Sequence, residues 1–573
     1  MLDLLLTGGT VVDGSGAPRR IADVGVRDGR VVVVGSTDEP ATRTLDVTGL
    51  VVAPGFIDIH THYDAQLFWD PTASPSPLHG VTTAIGGNCG FSLAPAGAAH
   101  ADYLMRMMAR VEGMPLAALE AGLPWDWSSF GEWMDRLDGG IGINAGFLCG
   151  HSALRRVAMG DDAVGGRATE SQLATMLAAL HDALDAGAMG FSTSTAPTHN
   201  DGALQPVPSR AADRDELVAL AGAVRSHPGT TLEVILAGCL SLFTDDEVDL
   251  MTAMSLAADR PVNWNVLGVS SMDPDRHWRQ LDASTRAAAR GARVVALTLP
   301  HAMGIRLSFL GGAVFEGLPG WRTTMALPVD DRIAALSDPA VRARLAAGAV
   351  SEEAGVLRGL ANWGNLRVDE VYAERLKVHE GRLVDDIARE EGRDPFDTLL
   401  DIVIADRLRT GLRPAFRDDP KAWPLKVEVW RDPRTIVGGS DAGAHLDQMC
   451  GAVYSTAMLA GVRDRGGIAL EEAVQLLSDA PARFYGLRDR GRVVAGGRAD
   501  LVVFDPDTVG PCAERTRTDL PGGASRLYAE STGVERVYVN GTAVVEAGRI
   551  TGATPGTLLR AGRDSDSVTV GAA

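Results

Sequence analysis

The sequence predicts an α/β protein organised as a (β/α)8 TIM barrel with β-rich segments at both chain ends. Three observations lead there. Short apolar runs of the kind buried in a parallel sheet recur near 56–60, 81–86, 142–148, 188–193, 231–236, 261–267, 293–298 and 435–439. Amphipathic stretches fall between them, including 170–186, 213–226, 244–258 and 469–480, the alternation expected of βα units on a parallel sheet. The chain has 573 residues, enough for a large barrel and a smaller domain.

Residues 1–53 read as short strands, Leu4–Leu6, Val11-Val12, Val24–Val26 and Val31–Val34, separated by turns at Gly8-Gly9, Asp13-Gly14 and Asp28-Gly29. Pro54-Gly55 then opens the first barrel strand. The stretch 302–432 is too long for a simple βα connection. It carries helical pieces at 330–346 and 398–407 and reads as an insertion near the barrel mouth. After 485 the β pattern returns in Arg498–Asp505 and Val537–Gly541, and the tail beyond Pro555 is a polar, Gly-rich extension.

The formal net charge is −20 with no Lys/Arg-rich run, which argues against nucleic acid and anionic membrane surfaces as partners. Five scattered cysteines form no disulfide framework and suit a reducing compartment. No apolar run is long enough to span a bilayer, so a cytoplasmic location is expected.

The residues that carry chemistry sit at strand ends. In Phe56-Ile57-Asp58-Ile59-His60-Thr61-His62, positions i and i+2 of a strand share a side, which would place two imidazoles together as a chelating pair. Barrels of this class place their chemistry at the carboxyl ends of the strands. Cys89, in Gly86-Gly87-Asn88-Cys89-Gly90 after the second strand, offers a thiolate, a soft donor suited to zinc, on a Gly-rich loop expected to expose it. Asp441 lies in Gly438-Gly439-Ser440-Asp441-Ala442-Gly443-Ala444-His445 after the last apolar run. A carboxylate beside a metal can take the proton of an acidified water and pass it to a departing amine.

The run Pro54–His62 resembles the first barrel strand of the amidohydrolase superfamily, and Asn88-Cys89-Gly90 narrows the likeness to the N-acyl-D-amino-acid deacylases (D-aminoacylases). The likeness covers nearly the whole chain. It implies a barrel, 54–485, inserted in a small β-sandwich made from 1–53 and 486–573. It also implies zinc held by His60, His62, Cys89 and Asp441, with Asp441 as the proton carrier. The substrate expected is a small-molecule N-acyl amide, with homo-oligomer formation left open.

Two departures from the family pattern shape the metal expectation. The first lysine is Lys377, so no lysine on strand four can serve as the carboxylated bridge used by hydantoinases, dihydropyrimidinases and ureases. Strands five and six, Thr231–Leu236 and Pro261–Leu267, lack the metal-binding histidines of well-studied D-aminoacylases. His227 precedes strand five and His277 falls in a following helix; Glu233, Asn263 or Asn265 are the substitutes on offer, though each reads first as a packed or hydrogen-bonded residue. About one tight Zn2+ per chain is therefore expected. Substrate contacts are expected from Tyr63, His151, Arg155, Ser192 and His445, with Arg155 as a bidentate clamp for a carboxylate. Two other readings stay open: a hydrolase of a cyclic amide, lactam or ester, and a metal-poor scaffold that has lost the chemistry.

Overall fold

The computed structural model describes residues 1–301, 304–312, 314–415 and 419–571. Eight parallel strands follow the apolar runs: Phe56–Asp58, Val81–Gly86, Asn144–Phe147 (continued by Cys149–Gly150), Gly190–Ser194, Thr231–Ile235, Val262–Leu267, Val294–Thr298 and Thr435–Val437. Each pairs with the next in chain order, with Phe56 beside Val81, Thr83 beside Asn144, Phe191 beside Cys149, and Leu297 beside Ile436. Ser192, Glu233 and Asn263 form one row across the fourth, fifth and sixth strands. The first and eighth segments also meet: a parallel bridge joins Thr61 to Ala442, and the Asp441 N–H donates to the His60 carbonyl at 3.0 Å.

The first and last strands stop short of their apolar runs. The Asp58 carboxylate accepts from the His60 N–H at 3.4 Å and the Ser440 N–H at 3.1 Å, so a side chain replaces the ladder just where both strands end. One buried cluster gathers Ile57, Ile59, Ile85, Leu148, Met189, Val295, Leu297 and Ile436 from these strands and their ends.

Helices lie between the strands, and their starts are encoded locally. Glu170–Asp185 and Asp245–Ala258 begin with capping boxes, Thr169 with Gln172 and Thr244 with Glu247, and the Asp213 side chain caps Arg214–Ala223.

Strands from the two chain ends join in one nine-stranded sheet. Val51–Pro54 runs parallel to the end of Leu2–Val11 and antiparallel to Leu501–Phe504, so Val52 faces Val503 across the seam between amino- and carboxyl-terminal halves. The tail is packed: Leu558 and Leu559 are buried, and Leu559 joins the same cluster as Ile57 and Met189.

A second compact unit comprises Ala302–Asp419 with Asp447–Met449, so the inserted segment ends earlier than 432; Ala422–Trp430 is a helix of the first unit. The second unit has its own antiparallel sheet, Leu307–Ser308, Gly411–Pro414 and Leu366–Glu370, and a core containing Phe309, Phe315, Trp321, Trp363 and Phe396. The helix expected over 330–346 is two helices, Val329–Ser337 and Pro339–Val350, because Pro339 cannot continue the ladder and Asp338 caps a new start. Among the described residues no helix is long and apolar enough to cross a membrane.

Candidate metal centre

His60 and His62 lie just past the end of the first strand, yet their rings still stand side by side, 5.4 Å apart at 73°. Thr61 fixes them, its backbone bridged to Ala442 and its hydroxyl donating to the Ile85 carbonyl at 2.9 Å. Both histidines are buried. Gly443 (φ +92°) passes so close that a Cβ there would stand 2.4 Å from the His62 carbonyl.

Cys89 is buried, not exposed, and takes a left-handed φ of +57°. Its loop is held from several sides. Asn88 Nδ2 donates to the carbonyls of Thr61 (3.2 Å) and Ile85 (2.9 Å). Ser192 Oγ donates to the Gly87 carbonyl at 2.5 Å and accepts from the Gly90 N–H at 3.0 Å. Glu233 Oε2 accepts from the Cys89 N–H at 2.7 Å, and Asn265 Nδ2 donates to the other oxygen of the same carboxylate. Cys89 Sγ then lies 3.5 Å from His60 Nε2.

Asp441 (φ +59°) brings Oδ1 to 3.1 Å from His62 Nε2 and 3.6 Å from His60 Nε2. Burial raises its carboxyl, but the close contact with charged His62, with His445 and His60 beyond, carries it below the usual carboxylate range. His62 moves the other way: burial opposes its proton, and Glu112 and Asp441 pull it up to about 10. Burial keeps His60 down at about 4.

Glu112, which sequence reasoning missed, is buried with Oε2 3.5 Å from His62 Nε2. It follows the helix Ala101–Val111 in the excursion between the second and third strands, where no strand end or motif marks it. His199 was missed too. It stands in a turn after the fourth strand, held by Ser194 Oγ at 2.8 Å. Burial, with the charges of His445 and His62, lowers it to about 3.

The expected substrate contacts divide. His445 is part-exposed, with Nε2 3.8 Å from Asp441 Oδ2. Ser192 supports the cysteine loop. The other three are corrected. Arg155 is fully buried and donates through Nη1 to both oxygens of Glu216, so its guanidinium clamps a carboxylate of this chain and not one of a ligand. His151 is occupied in the same network, Nδ1 with Thr193 Oγ1 and Nε2 with Glu216 Oε1, both at 2.8 Å. Tyr63 turns its hydroxyl to Ser76 Oγ at 2.5 Å and the Ala73 carbonyl at 3.2 Å.

The donor set fits a divalent ion. His60, His62 and Cys89 can each place one ligand atom within 4.8 Å of the others, and so can His62, Glu112 and Asp441. His62 Nε2 is buried without a hydrogen-bond partner among the described residues. Imidazole, thiolate and carboxylate are together the ligand chemistry of zinc.

A model of the amidohydrolase family matches residues 43–545, most of the chain. The chain belongs to the amidohydrolase family. Among its family relatives, the D-aminoacylase of Alcaligenes xylosoxydans xylosoxydans is 30% identical, covering 97% of both chains. The N-acyl-D-aspartate deacylase of the same organism is 29% identical, covering 98% of this chain and 95% of that one. Among solved structures, a D-aminoacylase studied for one-metal activation and second-metal attenuation of its binuclear centre superposes with a TM-score of 0.65 at 26% identity. It is covered completely and covers 98% of this chain. An N-acyl-D-glutamate deacylase from Bordetella bronchiseptica, complexed with zinc and a phosphonate mimic of the tetrahedral intermediate, gives 0.63 at 27%, with coverage of 98% and 100%.

Proposed function

We propose that this amidohydrolase removes the acyl group from N-acyl-D-amino acids with a divalent metal, zinc, held by His60, His62, Cys89 and Asp441. The observation that carries the reading is the convergence of these four side chains, from three separated stretches of the chain, in a protein whose full-length relatives include a D-aminoacylase and N-acyl-D-aspartate and N-acyl-D-glutamate deacylases. Once bound, the ion supplies an acidified water and a positive charge for the developing oxyanion. Asp441 lies against both histidines, is held ionised by them, and takes the proton of that water and returns it to the departing amine. To His445, part-exposed beside Asp441, we assign polarisation of the scissile carbonyl. Ser192 and Glu233 hold the Cys89 loop in register and keep its sulfur at His60.

One ion per chain follows from the ligands at hand. The fifth and sixth strands offer Glu233 and Asn265, which are hydrogen-bonded to each other and to the Cys89 loop, in place of free imidazoles. We read the eight strands as a closed barrel, supported by the Thr61–Ala442 bridge and the shared apolar cluster, and the terminal sheet as part of a sandwich built from 1–53 and 486–573.

The test is elemental analysis of the purified protein with a paired screen of N-acyl-D- and N-acyl-L-amino acids. About one tight zinc and turnover restricted to the D series are expected. Two equivalents resisting mild chelation would make Glu233 a ligand; a metal-free protein inactive on amides, lactams and esters would make the barrel a scaffold.

A further inference from the structure

We propose that Glu112 is a further metal ligand, sharing an ion with His62 and Asp441, a carboxylate delivered by the excursion between the second and third strands. The inference rests on the metal reading above and adds a donor from a part of the chain that carries none of the other four.

Distance is the first argument. Atoms that each bond one ion at about 2.0–2.2 Å lie at most roughly 4.4 Å from one another. Glu112 Oε2 lies 3.5 Å from His62 Nε2, and Asp441 Oδ1 lies 3.1 Å from the same nitrogen. That nitrogen is buried and accepts or donates no hydrogen bond among the described residues, although two carboxylates flank it.

Charge is the second. Glu112 and Asp441 both face His62 Nε2, and Glu112 is buried with it. Among the described residues no arginine or lysine is paired with Glu112; the cations beside it are His62 and His445. One imidazolium between the two carboxylates that face it, Glu112 and Asp441, leaves a negative charge uncompensated in a buried site, whereas a divalent cation balances both.

Delivery is the third. Glu112 ends the helix Ala101–Val111, its N–H donating to the Met108 carbonyl at 3.0 Å. Its own carbonyl accepts from the His445 N–H at 2.5 Å, so the segment is fastened to the loop that carries Asp441. At Gly113 (φ +57°) a Cβ would stand 3.1 Å from His445 Cα, a close approach that a larger residue would disturb.

The experiment is a Co2+ titration of the metal-stripped full-length protein, read by the visible absorption of bound Co2+ and by chelator competition. Glu112→Gln should bind at least about tenfold more weakly, the range seen when groups that support a metal site are lost, and should shift the Co2+ bands because an amide replaces a carboxylate oxygen. Glu112→Asp keeps the charge and shortens the reach, so it should also bind more weakly even if the glutamine variant folds poorly. Wild-type affinity and unchanged bands in both variants would overturn the proposal and leave Glu112 a counter-ion of His62. If the wild type itself takes up no Co2+, the metal reading and this inference fall together; if it binds and the variants match it, only this inference falls.

Discussion

Removing Arg155 should cost the protein stability and spare substrate binding, because its guanidinium is paired with Glu216 in the interior. A carboxylate clamp at the mouth would make Arg155 a binding residue, and its loss would raise KM. In the structure Arg155 is 0% exposed, its Nη1 reaches both oxygens of Glu216, and Nη2 donates to the Gly166 carbonyl. Arg155→Met therefore leaves Glu216 buried with His151 alone. Breaking a buried pair by removing one partner costs about 3–5 kcal/mol, because the remaining charge is uncompensated. At the low end of about 2–4 °C per kcal/mol for large domains, melting should fall by roughly 6–10 °C. Circular dichroism melting and steady-state kinetics on the same preparations provide the assay. KM for N-acyl amino acids should stay within about twofold below the transition. The double variant Arg155→Met/Glu216→Leu should recover most of the loss, since neither charge is then stranded. A raised KM for carboxylate-bearing substrates with unchanged melting would refute this reasoning and return Arg155 to the binding site.

Three further outcomes follow from the geometry. Asp441→Asn keeps shape but cannot accept the water's proton, so kcat should fall on the order of a hundredfold or more with near-native melting; full turnover would place the proton carrier elsewhere. Gly443→Ala would set a methyl 2.4 Å from the His62 carbonyl at a left-handed position, so it should lose metal and activity together, and intact zinc content would count against the packing argument. His79 is buried between Thr456 Oγ1 and the Ala529 carbonyl, and burial lowers it to about 4 from an ordinary 6.5. The unfolded chain thus binds its proton more readily, so its contribution is complete above pH 6.5 and lost as pH falls toward 4. His79→Asn should flatten the decline of melting temperature across that window, and parallel wild-type and variant curves would contradict the assignment.

The sequence by itself determined the α/β class, the positions of the eight strands and the grouping of His60, His62, Cys89 and Asp441. These are local or periodic properties: apolar runs must be buried, caps sit beside the helices they start, and strand ends follow from where such runs stop. Even the negative reading of Glu233 and Asn265 as hydrogen-bonded residues agrees with their mutual bond and their hold on the Cys89 loop. Tertiary structure decided which polar residues near strand ends face the site. Arg155, His151 and Tyr63 carry suitable groups at suitable positions, but Glu216, Thr193 and Ser76 reach them first, and those partners lie up to 65 residues away. Glu112 and His199 show the converse: a helix end and a turn between strands bring them toward the centre, and no strand end marks either. The inner ends of the strands needed the fold as well, because Leu559 from the tail packs among residues that a local reading assigns to the strands alone. Side-chain direction and long-range pairing are set by the packing of the whole chain, and no local pattern encodes them.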